Sequence, residues 1–170
     1  MDVFVEYMVK KKKDLADYVK ILLTLIIGLI LIFVVSAIFM SVPFISSFIL
    51  IAVAGVVYLM YQLVTSLNLE YEYALVNADL DVDKIMNAKR RKSLCSVNLR
   101  HIDFYGSLSD REYERYTSNS EIKKIYACSD KNDISAKFIV FSEDDERKML
   151  IFNPNDKMIE RIEFYNKRRV

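Results

Sequence analysis

The chain has 170 residues, 24 basic and 23 acidic side chains, one histidine and two cysteines. A near-neutral balance supplies no global field for gathering nucleic acid, and one histidine without a CxxC pair supplies no metal-ligand spacing. Only Gly28, Gly55 and Gly106 are glycines, so there is no glycine-rich phosphate loop, and neither a cofactor nor a metal is expected.

The charges are partitioned along the chain. Residues 1–19 form a basic segment carrying Lys10, Lys11, Lys12 and Lys13, with Lys20 just behind. Its first residues include Val3, Phe4, Val5, Tyr7, Met8 and Val9, a composition that admits a membrane-surface segment, a strand or a disordered arm. From Ile21 to Asn68 there is no Asp, Glu, Lys, Arg or His. A helix of that length would extend roughly 70 Å, more than twice the ~30 Å of a hydrocarbon core. Pro43 lies near its middle and disfavours helix at the residue before it. The expectation is a transmembrane hairpin over 20–67, with helices at 20–40 and 44–67, followed by a domain over 68–170.

The uncharged turn between the spans and the lysines before them put both termini on the cytoplasmic side of the membrane. The apolar run is too long for a cleaved signal peptide. Thr24, Ser36, Ser46, Ser47, Gln62, Thr65 and Ser66 are the polar residues within the two spans from Ile21 on, and none is ionisable. Ion and proton pathways usually carry intramembrane charge, so the hairpin reads as an anchor. Gly28, Ala52 and Gly55 leave room for close helix approach without a GxxxG pattern.

Beyond Asn68 the pattern shortens and alternates. Leu69–Val76, Asp79–Met86 and Lys92–Leu99 read as strands, the first two joined at Asn77-Ala78 and the last two by a basic loop over Asn87–Arg91. His101–Ser107 is irregular or a short strand. Ser109 opens a capping-box pattern for a short helix over Asp110–Tyr116. Ile122–Cys128, Ala136–Phe141 and Lys148–Phe152 are three further strands, the last two joined by the acidic turn Ser142–Arg147. Asn153-Pro154 has the form of a cap before a first-turn proline, predicting a helix over Pro154–Lys167 with Met158, Ile159, Ile162 and Tyr165 on one face. The fold class is thus a membrane α-helical hairpin plus an α+β C-terminal domain. That domain is a roll or barrel of about six to seven antiparallel strands in meander order, closed by an amphipathic C-terminal helix.

The segment EYEYALVNADLDVDKIMNAKRRKSLCSVNLRHIDFYG resembles the opening of bacterial pleckstrin-homology-like (PH-like) domains that follow paired membrane helices. Over residues 10–170 the chain resembles an uncharacterised family of small two-span membrane proteins of Gram-positive bacteria, through DLDVDKI, the KRRK loop and FNPNDKMIERI with YNKRRV. Ala78 departs from the glycine such proteins carry at that turn. The resemblance implies the PH-like architecture and no catalytic residues.

The basic loop Lys89, Arg90, Arg91 and Lys92 is the leading candidate site, because meander topology returns it to the membrane-proximal end. With Lys10, Lys11, Lys12 and Lys13, and with Lys167–Arg169, it forms a candidate contact for an anionic membrane surface, each basic residue contributing roughly 1 kcal/mol. Asp79, Asp81 and Asp83 share a strand face and read as the outward side of an edge-near strand. Glu143–Glu146 reads as a solvated hairpin tip, and His101 has no nucleophile motif around it. Cys95 and Cys128 read as buried, reduced thiols. The expected role is that of a non-enzymatic membrane protein, a scaffold whose domain binds a protein partner or the anionic inner membrane surface, with homo-oligomerisation open. The alternative is an accessory subunit of a larger membrane complex acting through its hairpin.

Overall fold

The computed structural model describes residues 4–130 and 133–167. Two compact units are present: a helical hairpin over Lys13–Asn68, and a mixed unit built from the chain before it and the chain from Leu69 onward.

In the hairpin, α1 spans Leu15–Ser41 and α2 spans Ile49–Thr65, the latter preceded by a 3-10 turn at Ser46–Phe48. α1 begins five residues before the expected Lys20, because Asp14 and Asp17 make a reciprocal capping box. The Asp14 side chain accepts from the Asp17 N–H at 2.9 Å, and the Asp17 side chain from the Asp14 N–H at 3.3 Å. α1 stops at Ser41, and Val42 is extended (φ −123°) as the ring of Pro43 requires. Gly28 is buried because Met60 packs over it; a Cβ there would run into the Met60 side chain. Gly55 faces open space.

α1, and α2 together with its 3-10 turn (Ser46–Thr65), are long and apolar enough to cross a membrane. Their apolar side chains face outward: Phe33 is 76 % and Leu50 78 % exposed. A soluble core helix hides such residues, so these faces need an apolar medium or partner. Several of the hydroxyls are satisfied internally. Thr24 donates to the Lys20 carbonyl, Ser41 to Ala37 and Thr65 to Tyr61, each at 2.8 Å.

The mixed unit is a roll of two four-stranded sheets. Sheet A has the order β1 (Phe4–Lys10), β2 (Leu69–Val76), β3 (Asp79–Met86), β4 (Arg90–Asn98), all antiparallel. Sheet B has the order β5 (Ile102–Ser107), β7 (Lys137–Glu143), β8 (Glu146–Phe152), β6 (Lys123–Ala127). Tyr73, Leu75, Leu80, Val82 and Val97 of sheet A meet Ile139, Leu150 and Phe152 of sheet B in one core. Helix α4 (Asp156–Lys167) closes it with Met158 and Ile162, both fully buried. Helix α3 (Arg111–Ser118) lays Tyr113 and Tyr116 against Phe138 in a second cluster.

Several sequence expectations change here. The basic segment over 1–19 is not a separate element: its residues 4–10 are the edge strand β1, paired with β2 from Phe4↔Val76 to Lys10↔Glu70. Among the described residues there are therefore eight strands, and β6 runs parallel to β8, so the second sheet is no meander. The α3 crossover produces this by carrying the chain to the far edge of sheet B. β3 lies one strand in from the edge strand β4, so its aspartates face outward from an edge-near strand, as expected. Ser109 caps nothing; Asp110 precedes α3 and its carboxylate accepts from the Ser107 N–H at 2.6 Å. Asn155, not Asn153, caps α4, accepting from the Met158 N–H at 2.9 Å. Asn153 instead ties loops together, through the Ser129 N–H at 2.8 Å and Asp133 at 2.9 Å.

The turn Asn77-Ala78 needs no glycine, since only Asn77 is left-handed (φ 56°) and Ala78 is buried. The strained position is in the β3–β4 turn, where Asn87 and Ala88 have φ 52° and 51°. A Cβ in that region costs roughly 1 kcal/mol. Ala88→Gly is accordingly expected to stabilise the unit by about 0.5–1 kcal/mol, seen as a higher denaturant midpoint at unchanged slope.

Candidate functional site

The register of sheet A decides which basic residues meet. Its last row runs Lys10, Glu70, Ile85, Arg91 across the four strands. Just beyond that row the Lys11 N–H donates to the Leu69 carbonyl at 2.9 Å, and the Lys12 N–H to the Ser129 carbonyl at 2.8 Å. One end of the roll therefore gathers Lys10, Lys11, Lys12 and the β3–β4 turn with Lys89, Arg90 and Lys92. It is also the end where the chain leaves for the hairpin and returns from it. Lys13 belongs to the helical unit.

These side chains are not equivalent. Lys10 pairs with Glu70 at 3.5 Å while remaining 85 % exposed. Arg91 bonds to the Glu72 carboxylate and lies 3.7 Å from Asp83. Glu72 is buried on the outer face of the sheet, directly opposite Asp83, so one guanidinium separates two carboxylates that would otherwise repel. Arg91 thus has a structural duty that the charge run in the sequence does not reveal. Lys89, Arg90 and Lys92 are exposed and form no ion pair among the described residues.

Arg100 lies 5.8 Å over the Tyr165 ring, so α4 ends beside the β4–β5 turn, at the opposite end of β4. Residues 168–170 and the Lys167 side chain lie outside the described residues.

Away from the basic end, charges are spent on holding the roll shut. Burial would raise the Glu143 carboxyl, but the Lys148 ammonium at 2.9 Å and the Ser96 N–H at 3.1 Å outweigh it and hold the group below its usual range. That carboxylate links the edge of β4 to the β7–β8 hairpin. Tyr73 joins the sheets through its hydroxyl, which donates to the Ala127 carbonyl and accepts from the Asn153 N–H at 3.3 Å; burial raises its pKa strongly. Cys95 and Cys128 are buried free thiols, and burial pushes Cys95 up to about 12. His101 is exposed on the β4–β5 turn. Among the described residues no group of three His, Cys, Asp or Glu is placed to hold a metal ion. A groove between Asn119–Lys123 and Asp145–Arg147 is bridged by the Lys123–Glu146 pair at 3.3 Å.

Two facing four-stranded sheets with a C-terminal helix seated in their common core make this a PH-like protein, here with an apolar helical hairpin. The chain belongs to the family described as "Bacterial PH-like domain (DUF6106)", whose family model matches residues 1–170. No curated protein and no solved structure matches it.

Proposed function

We propose that this is a non-enzymatic, two-span protein of the bacterial inner membrane with both termini cytoplasmic, whose PH-like unit docks on the anionic inner leaflet. The observation that carries the reading is the convergence of Lys10, Lys11, Lys12, Lys89, Arg90 and Lys92 at the end of the roll where the chain enters and leaves the apolar hairpin. The outward apolar faces of α1 and α2 and the internal satisfaction of several of their hydroxyls support the spans. Docking of this kind presents the remaining surface to a protein partner, the role of a scaffold. The same outward faces also favour a second reading, an accessory subunit held by its hairpin within a larger complex. Loss of function on exchanging the hairpin for an unrelated one would select that reading.

Docking is tested on the full chain in lipid nanodiscs, with an environment-sensitive fluorophore on Ala88→Cys. Anionic discs are expected to shift its emission to the blue, neutral discs to leave it unchanged, and high salt to reverse the shift. Replacing Lys89, Arg90 and Lys92 by Ser, with Arg91 kept, should weaken docking by about 3 kcal/mol, at roughly 1 kcal/mol per basic side chain. Identical emission in neutral and anionic discs would refute docking.

A further inference from the structure

The cations of the β3–β4 hairpin divide between two faces, and only one face is neutralised. Strand alternation puts Arg91 on the outer face with Ile85, Glu70 and Lys10. Lys84 and Lys92 are partners across the strands, on the other face, and Arg90 stands beside them opposite Met86. Directly opposite side chains have Cβ atoms about 4.5–5.5 Å apart, and two like charges there repel. No carboxylate forms an ion pair with Lys84, Arg90 or Lys92 among the described residues, although Glu72 and Asp83 crowd a single guanidinium on the far side of the same hairpin. Lys84 is half-buried beside Tyr71, its partner on β2, so its charge is screened less than that of a free surface lysine. An anion from outside the chain would relieve the repulsion between Lys84 and Lys92.

We infer that Lys84, Arg90 and Lys92 form a clamp for a doubly charged phosphate, supplied by the phosphomonoester headgroup of a membrane lipid. The inference rests on the docking reading and names its ligand chemistry. A phosphomonoester carries about −1.5 to −2 charges at pH 7 with its second pKa near 6, and so neutralises both lysines of the cross-strand pair. It also offers a fork of oxygens to the Arg90 guanidinium. A phosphodiester headgroup carries one charge and leaves one lysine uncompensated. Preference for the monoester should grow as pH rises through its second ionisation.

The test compares nanodiscs containing phosphatidate with nanodiscs containing phosphatidylglycerol, matched for surface charge, in the fluorescence assay on the full chain. Docking is expected to be about tenfold stronger on phosphatidate, a difference of about 1.4 kcal/mol. Lys84→Gln, outside the docking set, should abolish the preference while leaving docking on phosphatidylglycerol; Lys92→Gln should abolish it too and weaken docking on both lipids about fivefold. Equal docking on both lipids overturns the clamp and leaves the docking reading standing; docking on neither overturns both. Saturable binding of inorganic phosphate by the protein in neutral discs, without a preference for phosphatidate, would move the ligand from lipid to solute and overturn the lipid assignment.

Discussion

A chain lacking residues 1–10 is expected to lose a large share of the stability of its PH-like unit. β1 contributes Val9, which is buried, and Val5, which packs on the same core. Full burial of a valine stabilises by about 1.5–3 kcal/mol, so the pair accounts for roughly 3–6 kcal/mol as an upper figure. Removal also uncovers Tyr73, whose ring lies 6.3 Å from that of Tyr7. Typical domains are stable by only about 5–15 kcal/mol. Denaturant unfolding in one detergent, followed by tyrosine fluorescence, compares the truncated and full chains. Phe4→Ser, at an outward position 64 % exposed, should shift stability by no more than about 0.5 kcal/mol. A truncation cost under about 1 kcal/mol would show that β1 is dispensable to the roll.

Arg91→Ala should be nearly as damaging, whereas its neighbour Arg90→Ala should be close to neutral. The substitution leaves the buried Glu72 carboxylate facing Asp83 with no counter-charge. Breaking a fully buried pair costs about 3–5 kcal/mol, and the 59 % exposure of Arg91 reduces that to about 2–3 kcal/mol. Adding Glu72→Gln to Arg91→Ala should recover most of the loss, with a coupling of about 1–2 kcal/mol in the double-mutant cycle. Additive losses would mean that the two side chains do not depend on each other. A lipid-binding variant that replaces all four residues Lys89–Lys92 would therefore mix unfolding with lost docking.

What was legible in the chain follows the range of the interactions involved. β2 and β3 could be read to the residue from their alternation, since Leu69–Val76 and Asp79–Met86 carry the period themselves. β1 could not, because its partner lies beyond the whole apolar hairpin and its seven residues carry little pattern of their own. The parallel pairing of β6 with β8 was hidden for a similar reason: nothing within Lys123–Ala127 encodes which strand it will meet. At the candidate site the basic run was plain, but the division of labour within it was not. That division depends on register, which puts Arg91 beside Glu72 and Lys92 opposite Lys84. Asn153 looked like a cap because caps favour asparagine before proline, yet its amide is occupied by Ser129 and Asp133.

The hydrogen bond from Lys11 to Leu69 extends the β1–β2 ladder to the point where the hairpin departs. In topological terms Lys13–Asn68 is then an insertion at the bend of an ordinary β-hairpin, occupying the position where a two-residue turn would serve. Excising it and joining Lys12 to Leu69 through Asn-Gly would retain all eight strands and both clusters of the core. The product would be a water-soluble miniature of the roll, open to solution spectroscopy and to headgroup titration without detergent.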